Sequence, residues 1–275
     1  MPETKSLDVN QSLSITGGPF EARFATTSAE LEQAQRLRYQ VLFKDSNGNP
    51  DPEKAASEID RDQWDEHADH IIVCDTRLED PNVVGTLRIV SNQELPATQC
   101  FYTEKAFDLS NLRQRFEHIV ELGRFCISPN TRNGIVLGLI WKLASNYILR
   151  NDVNLMLGCA SFPGADPNLH TREFGFLVDN ALAPADLAMP PVVPNHKNLQ
   201  ALCAATAAGD TDAIGELRDM PPLVRGYLKM GARSSDCAII DPVFNTTFVC
   251  IYVDAANFAN TTTLLAPKKG KGTTK

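Results

Sequence analysis

One short acidic segment of this 275-residue chain has the residue types needed to bind a cation. Asp62, Asp65 and Glu66 lie within five consecutive positions, directly before His67. Carboxylates that face a pocket hold an ammonium or guanidinium group through charge-assisted hydrogen bonds. The alternative is a solvated acidic loop, which is where most such charges are found.

A second pair of charges, Glu121 and Arg124, lies inside a segment with the apolar pattern of a buried strand. Buried charges are costly unless they are paired or used in chemistry. In a regular strand the two side chains would point to opposite faces, because side chains alternate with a period of two. A bulge at Gly123 would bring them to one face and spread the neighbouring strands. The pattern therefore indicates a cleft that contains both groups.

A third charge, Arg88, lies in the apolar run Val83–Val90. Two interpretations account for a cation in such a strand. One is an ion pair with Glu121 or with the carboxylate of Asp62 or Asp65. The other is a direct contact with a substrate.

A polar turn, Pro129–Gly134, follows the strand that carries Glu121 and precedes a long apolar run. Backbone N–H groups at the start of a helix suit a phosphate or a pantetheine arm. The candidate contacts for such an acyl donor are Ile127, Arg132, Asn133 and Gly134.

Several other functions are not expected. The net charge of -8 provides no basic field for nucleic acid. The five histidines are scattered, and no HExxH or GxSxG motif occurs, so neither a metal site nor serine-hydrolase chemistry is predicted. The seven cysteines form an odd set without a CxxC pair, which is typical of reduced core residues. Without an apolar N-terminal segment or long apolar run, we expect a cytoplasmic protein whose membrane contact is peripheral.

The elements that must position these residues follow the order β-α-β-β-β-α-β-α-β-β, which predicts an α/β protein with a mixed sheet. The first helix should begin at the capping box Thr27–Glu30. Turn formers and charges make Ser46–Asp62 a candidate mobile lid. We predict a flexible N-terminus (1–14), one domain (15–258) with a small helical insert around 195–220, and a flexible tail (259–275).

Six segments together resemble the ornithine N-acyltransferases of bacterial ornithine-lipid synthesis, over about residues 20 to 253. They are RLRYQVLF at 36–43, DRDQWDEHADHIIV at 60–73, VVGTLRI at 83–89, ELGRFCI at 121–127, PPLVRGYLKMGA at 221–232 and IIDPVFNTTFVCI at 239–251. The chain is also similar, more distantly, to acyl-homoserine lactone synthases. The positions that match their shared pattern are Arg38, Asp62, Asp65, Arg88, Glu121 and Arg124. The aromatic residue of that pattern, four positions after the helix arginine, is Leu42 here, with Phe43 next to it.

The resemblance implies a GNAT-like acyltransferase fold, in which a mixed, mostly antiparallel central sheet with splayed strands is flanked by helices. It also implies transfer of a 3-hydroxy fatty acyl group from acyl carrier protein to the α-amino group of L-ornithine, giving lyso-ornithine lipid. The 4'-phosphopantetheine thioester is then a co-substrate, and no permanently bound cofactor or metal is expected. The alternatives are acylation of lysine, glycine, glutamine, an aromatic amino acid or a homoserine-type substrate, or a non-catalytic acyl-binding module.

Aminolysis of a thioester requires a proton acceptor and stabilisation of the oxyanion. Glu121 and Arg124 are the predicted catalytic residues, with Glu121 as the base, directly or through water. Backbone N–H groups of Gly123–Phe125 would contact the oxyanion. The predicted substrate contacts are Asp62 and Asp65 with the side-chain ammonium of ornithine, and Arg88 or Arg38 with its carboxylate.

Overall fold

A computed structural model describes residues 13–78, 82–131, 134–205, 217–218 and 220–257. These residues form a ten-stranded sheet in the order β1-β2-β3-β4-β5-β6-β10-β9-β7, with β8 paired to β10. Every pairing is antiparallel except that of β5 with β6. The strands are β1 Ser14–Gly17, β2 Phe20–Phe24, β3 Ala68–Asp75, β4 Asn82–Ser91, β5 Ile119–Ile127, β6 Leu155–Pro163, β7 His196–Asn198, β8 Arg233–Ser234, β9 Cys237–Asp241 and β10 Thr246–Asp254.

Helices cover both faces of the sheet. The α-helices are α1 Ser28–Tyr39, α2 Pro52–Ser57, α3 Ser110–Arg115, α4 Ile135–Arg150, α5 Thr171–Asn180, α6 Leu199–Ala205 and α7 Pro222–Lys229, and a π-helix, Gln40–Lys44, extends α1. In β3, Ile71 and Val73 pack in the core under α4, whereas Ile72 and Cys74 pack with Ala34 of α1. Since strand side chains alternate, α1 and α4 lie on opposite faces. None of the described helices is long and apolar enough to cross a membrane.

The start of α1 agrees with the predicted capping box. The Thr27 side chain accepts the Glu30 N–H, and the Glu30 side chain accepts the Thr27 N–H. These contacts satisfy two N–H groups that the first helical turn cannot pair internally.

The segment predicted as a mobile lid, Ser46–Asp62, contains the helix α2. Asp51 caps this helix by accepting the Lys54 N–H, and Pro52 occupies the first helical turn. The helix has no buried residue, so the sequence carries no apolar periodicity that would reveal it. The Asn49 N–H donates to the carbonyl oxygen of Val243, which joins the segment to the turn between β9 and β10.

Most of the two predicted flexible ends lies outside the described residues, namely 1–12 and 259–275. The described part of the N-terminal segment is ordered, because Leu13 is buried and Ser14 begins β1.

The centre of the sheet opens where β5 leaves β6. The two strands pair only from Ile119 to Glu121 against Leu155 to Leu157. Beyond that point β6 continues against β10 alone. At Gly158 a Cβ atom would lie 2.4 Å from the carbonyl oxygen of Leu122, so only glycine allows the two backbones to approach this closely before they separate.

We expect Gly158→Ala to destabilise the protein by about 1–3 kcal/mol, because the new methyl group would push against the backbone of Leu122. Gly138→Ala is the matched control, since a Cβ at Gly138 of α4 meets no atom within 4 Å. Alanine favours a helix over glycine by about 1 kcal/mol, so this control should be neutral or stabilising. Urea unfolding of both variants measures the difference, and equal stabilities would contradict the close contact at the opening.

Candidate active site

A buried network of six charged side chains lies between α1, β4, β5 and the segment before β3. Three arginines and three aspartates alternate in it, each in contact with at least two of opposite charge, so the network is electrically neutral. The contacts are Arg38 Nε to Asp60 Oδ2 (2.9 Å), Arg38 Nη1 to Asp65 Oδ1 (2.8 Å), Arg88 Nη1 to Asp62 Oδ1 (2.5 Å) and Asp65 Oδ1 (2.8 Å), Arg124 Nε to Asp60 Oδ2 (2.8 Å), and Arg124 Nη2 to Asp62 Oδ2 (2.9 Å). We call these residues the arginine–aspartate network.

The network keeps the carboxylates of Asp60 and Asp65 ionised despite their burial. Burial alone would raise the pKa of Asp65, but Arg38 and Arg88 outweigh it, and the pKa lies below its ordinary value of 3.8. The pKa of Asp60 is lowered in the same way, with Arg124 and Arg38 opposing the effect of burial. The network is therefore charge-balanced, although two of its buried atoms, Asp60 Oδ1 and Arg88 Nε, have no hydrogen-bond partner among the described residues.

A bulge in β5 brings Arg124 into the network. Thr86 of β4 pairs with Cys126 and Arg88 with Gly123, so two residues of β5 lie opposite the single residue Leu87. Arg124 is one of the two and has a φ of 55°, in the left-handed region. The expected bulge is thus present one residue after Gly123, and the arginine itself adopts the unusual conformation.

The Arg124 guanidinium also lies over two aromatic rings. Its Cζ atom is 5.1 Å from the Tyr102 ring centroid and 4.9 Å from that of Phe244. These cation–π contacts and its two ion pairs fix the side chain between β5 and the β9–β10 turn.

Glu121 has a different environment from the three aspartates. The Glu121 Oε1 accepts two hydrogen bonds from Thr103, one from its N–H at 2.7 Å and one from its hydroxyl at 2.5 Å. The Glu121 Oε2 accepts the N–H of Tyr102 at 2.8 Å. Among the described residues no cation lies within 4.0 Å of it, since Arg88 pairs with Asp62 and Asp65. Burial raises the pKa of Glu121 above its ordinary value, although these hydrogen bonds and the charge of Arg88 act in the opposite direction.

A cavity of about 250 Å³ lies at the opening between β5 and β6. Glu121, Arg88 and Arg124 line it. Most of the other lining side chains come from β6, β10, α7, the end of β9 and the β9–β10 turn. They include Cys159, Ser161, Leu223, Tyr227, Asp241, Phe244, Thr246 and Phe248. The site therefore combines a buried carboxylate, two guanidinium groups and an apolar wall.

The remaining predicted site residues lie elsewhere. Arg38, Asp62 and Asp65 do not line the cavity. Asp62 and Asp65 pair with the arginines that do, and Arg38 pairs with Asp60 and Asp65. Ile127 ends β5 and Gly134 precedes α4 with a φ of 78°, and neither lines the cavity. Arg132 and Asn133 lie outside the described residues. No group of three or more metal-ligating side chains occurs in the described part of the chain.

Sequence reasoning missed several residues of the site. Asp60, two positions before the predicted acidic pair, joins Arg38 to Arg124. Its position directly after Ile59 in a charged segment was the only available signal. Thr103 holds the Glu121 carboxylate from a segment without any motif, so nothing in the sequence indicated it.

Comparison with known proteins decides the family. A model of the acetyltransferase (GNAT) domain matches residues 37–142. An L-ornithine N(alpha)-acyltransferase from Brucella abortus (strain 2308) is 34% identical over 239 residues, which cover 85% of this chain and 84% of the relative. The chain belongs to the L-ornithine N(alpha)-acyltransferase family.

Another member of this family, from Agrobacterium fabrum (strain C58), is 30% identical over 263 residues, which cover 94% of this chain and 88% of that relative. Among solved structures, an N-acyl amino acid synthase from uncultured soil microbes is similar to this family member, with 12% identity and a TM-score of 0.45 over 90% of this chain and 96% of that one. The predicted family, the GNAT-like fold class and the acyltransferase class of enzyme are confirmed.

We expect Arg38→Met to destabilise this family member by about 3–5 kcal/mol, because it leaves Asp60 and Asp65 buried without one of their cations. The matched control is Arg36→Met on the same helix. Arg36 is exposed and pairs with Glu32 four residues earlier, so its loss should cost less than about 1 kcal/mol. Urea unfolding of the two variants measures both changes.

The same experiment has a pH dependence that a packing defect would not show. Carboxylates with lowered pKa values stabilise the fold above their unfolded pKa, and this contribution is lost as the pH falls through the folded pKa. Since Arg38→Met weakens the cause of that lowering, the difference in free energy of unfolding between the two proteins should narrow as the pH falls from about 5 through 3.8 and below. A gap that is independent of pH would contradict the electrostatic role of Arg38.

Proposed function

We propose that this protein transfers a fatty acyl group from a carrier-bound thioester to the α-amino group of L-ornithine. The observation that carries the proposal is the 34% identity to an L-ornithine N(alpha)-acyltransferase over most of both chains. The cavity supports it, because a buried carboxylate without a cationic partner lies at the strand opening of a GNAT-type sheet. The product would be a lyso-ornithine lipid, whose acyl chain gives a reason for peripheral contact with the inner membrane.

In the proposed reaction the neutral α-amine attacks the thioester carbonyl. The new C–N bond forms first and gives a tetrahedral oxyanion, whose collapse breaks the C–S bond. The proton from nitrogen passes to Glu121 and then to the leaving thiolate. The pKa of Glu121, raised by burial, suits this task, because a base acts best when its pKa is close to the working pH. In the part of the chain that the structure describes, its Oε2 accepts one hydrogen bond, which leaves a lone pair for the substrate.

The arginines would have two roles. Within the described residues, Arg88 Nη2 and Arg124 Nη1 make no hydrogen bond, so both are available for the substrate carboxylate. Asp62 and Asp65 are predicted from the sequence to contact the substrate ammonium. Because both carboxylates already contact arginines, we propose that they and Arg38 position Arg88 and Arg124.

The acyl donor in this proposal is acyl carrier protein, whose pantetheine arm would enter where β5 and β6 separate. The turn after β5 leads to Gly134 and the start of α4, where the positive end of the helix dipole favours an anion. The predicted contacts of Arg132 and Asn133 belong to the same proposal.

Incubation of the protein with 3-hydroxyacyl-acyl carrier protein and a panel of amines tests the proposal. Ornithine should give an N-acylated product by mass spectrometry together with release of the carrier thiol. Preferred acylation of lysine, glycine, glutamine or a homoserine-type substrate would identify another amine. Thioester binding without thiol release would identify an acyl-binding module and overturn the proposal.

Glu121→Gln should lower turnover about 100- to 10,000-fold, because it removes the proposed proton acceptor. Glu104→Gln is the control, since Glu104 belongs to the same 3₁₀ segment as Thr103 but pairs with Arg113 at the surface. Turnover and melting temperature are measured on both variants. A large loss of melting temperature in Glu121→Gln, with turnover per folded molecule preserved, would assign Glu121 a purely structural role.

Cys159→Ser should retain most of the activity, although this thiol lines the cavity. Direct aminolysis forms no acyl-enzyme, and burial raises the pKa of Cys159 to about 12, which disfavours a nucleophilic thiolate. Turnover of the variant with ornithine is the measurement. An inactive but folded Cys159→Ser protein, or a trapped acyl-cysteine in the unsubstituted one, would overturn direct transfer.

A further inference from the structure

The acidic groups of the cavity are of two kinds. The three aspartates of the arginine–aspartate network are balanced by three arginines, so the network contributes no net charge. Two other carboxylates, Glu121 and Asp241, line the cavity itself. Neither has a cation within 4.0 Å in the part of the chain that the structure describes. These two carboxylates are therefore additional to the balanced charges of the network.

Asp241 ends β9, at the rim of the cavity. Its Oδ1 accepts the N–H groups of Val243 at 2.9 Å and Phe244 at 3.2 Å, which fixes the carboxylate over the β9–β10 turn. Its Oδ2 has no hydrogen-bond partner among the described residues. A half-buried carboxylate held in this way presents one oxygen to the cavity without further loss of conformational entropy.

Asp241 is also close to the groups around Glu121. Burial is the largest cause that raises the pKa of Tyr102 and of Cys159, and the charge of Asp241 adds to it in both cases. Tyr102 donates its N–H to Glu121, and both residues line the same cavity as Asp241. One small molecule in the cavity could therefore contact Glu121 and Asp241 at once.

We propose that Asp241 binds the side-chain ammonium of a diamino acid whose α-amine faces Glu121. The inference rests on the proposed function and adds a residue that selects the substrate. An amino acid with a neutral side chain and an unprotonated α-amine has only one charge, that of its carboxylate. The two cavity carboxylates repel this charge. A side-chain ammonium balances the carboxylate charge and donates a hydrogen bond to the free oxygen of Asp241.

The test compares ornithine with norvaline, which has the same carbon chain but lacks the side-chain amine. In the unsubstituted enzyme kcat/KM should be higher for ornithine. Asp241→Asn should lower kcat/KM for ornithine about 10- to 100-fold, as expected for the loss of a hydrogen bond to a charged group. It should leave kcat/KM for norvaline unchanged or raise it, because one of the two repelling charges is removed. Asparagine still accepts the two turn N–H groups through its carbonyl oxygen, so the turn should be kept.

Asp254→Asn is the matched control. Asp254 ends β10 and its Oδ1 accepts the N–H of Ala256 at 2.9 Å, so it has a similar turn role away from the cavity. Its substitution should change neither rate. The ratio of the two kcat/KM values does not depend on the folded fraction, so poor folding of Asp241→Asn cannot imitate the expected result.

The outcomes separate the inference from the proposed function. If the unsubstituted enzyme acylates ornithine but Asp241→Asn keeps the preference over norvaline, Asp241 does not select the substrate and the proposed function stands. A similar fall for both amino acids also overturns the inference, because it shows general damage to the site. If the unsubstituted enzyme does not acylate ornithine, the proposed function fails and the inference fails with it.

Discussion

Mutual neutralisation of three buried arginines and three aspartates is the interaction on which the site depends. It joins α1, the segment before β3, β4 and β5, which are separated by up to 86 positions between Arg38 and Arg124. Burial removes the hydration of each ion, and only contact with its partners offsets this cost. Packing of α1 against the sheet and the position of Arg124 in β5 are therefore linked through Asp60.

This pairing also explains why Glu121 can act differently from the aspartates. Arg88 lines the cavity together with Glu121, but its Nη1 is paired with Asp62 and Asp65. Glu121 is left with three neutral donors from Tyr102 and Thr103, so burial rather than an ion pair dominates its pKa. The same neutralisation makes any further carboxylate in the cavity, such as Asp241, a true excess charge that a cationic substrate can balance.

The opening of the sheet has two local causes that act together. Gly158 lets the backbones of β5 and β6 approach at Leu122, and the bulge at Arg124 then turns the rest of β5 away. The extra residue shifts the alternation of side chains by one position. Arg124 therefore points to the face that carries Glu121 and Arg88. Cavity and charged site therefore form at the same place in the strand.

Local patterns in the sequence were sufficient for much of this. They predicted the capping box at Thr27, a helix after Gly134, the mixed sheet and a need for partners of Arg88 and Glu121, because periodicity and the cost of buried charge act over a few residues. Only the tertiary structure decided which charges meet. Asp60 with Arg38, Thr103 with Glu121 and Asp241 at the cavity are contacts between distant segments, set by how the strands lie side by side. Helix α2 and the left-handed Arg124 depended on a cap and a bulge that apolar periodicity does not encode.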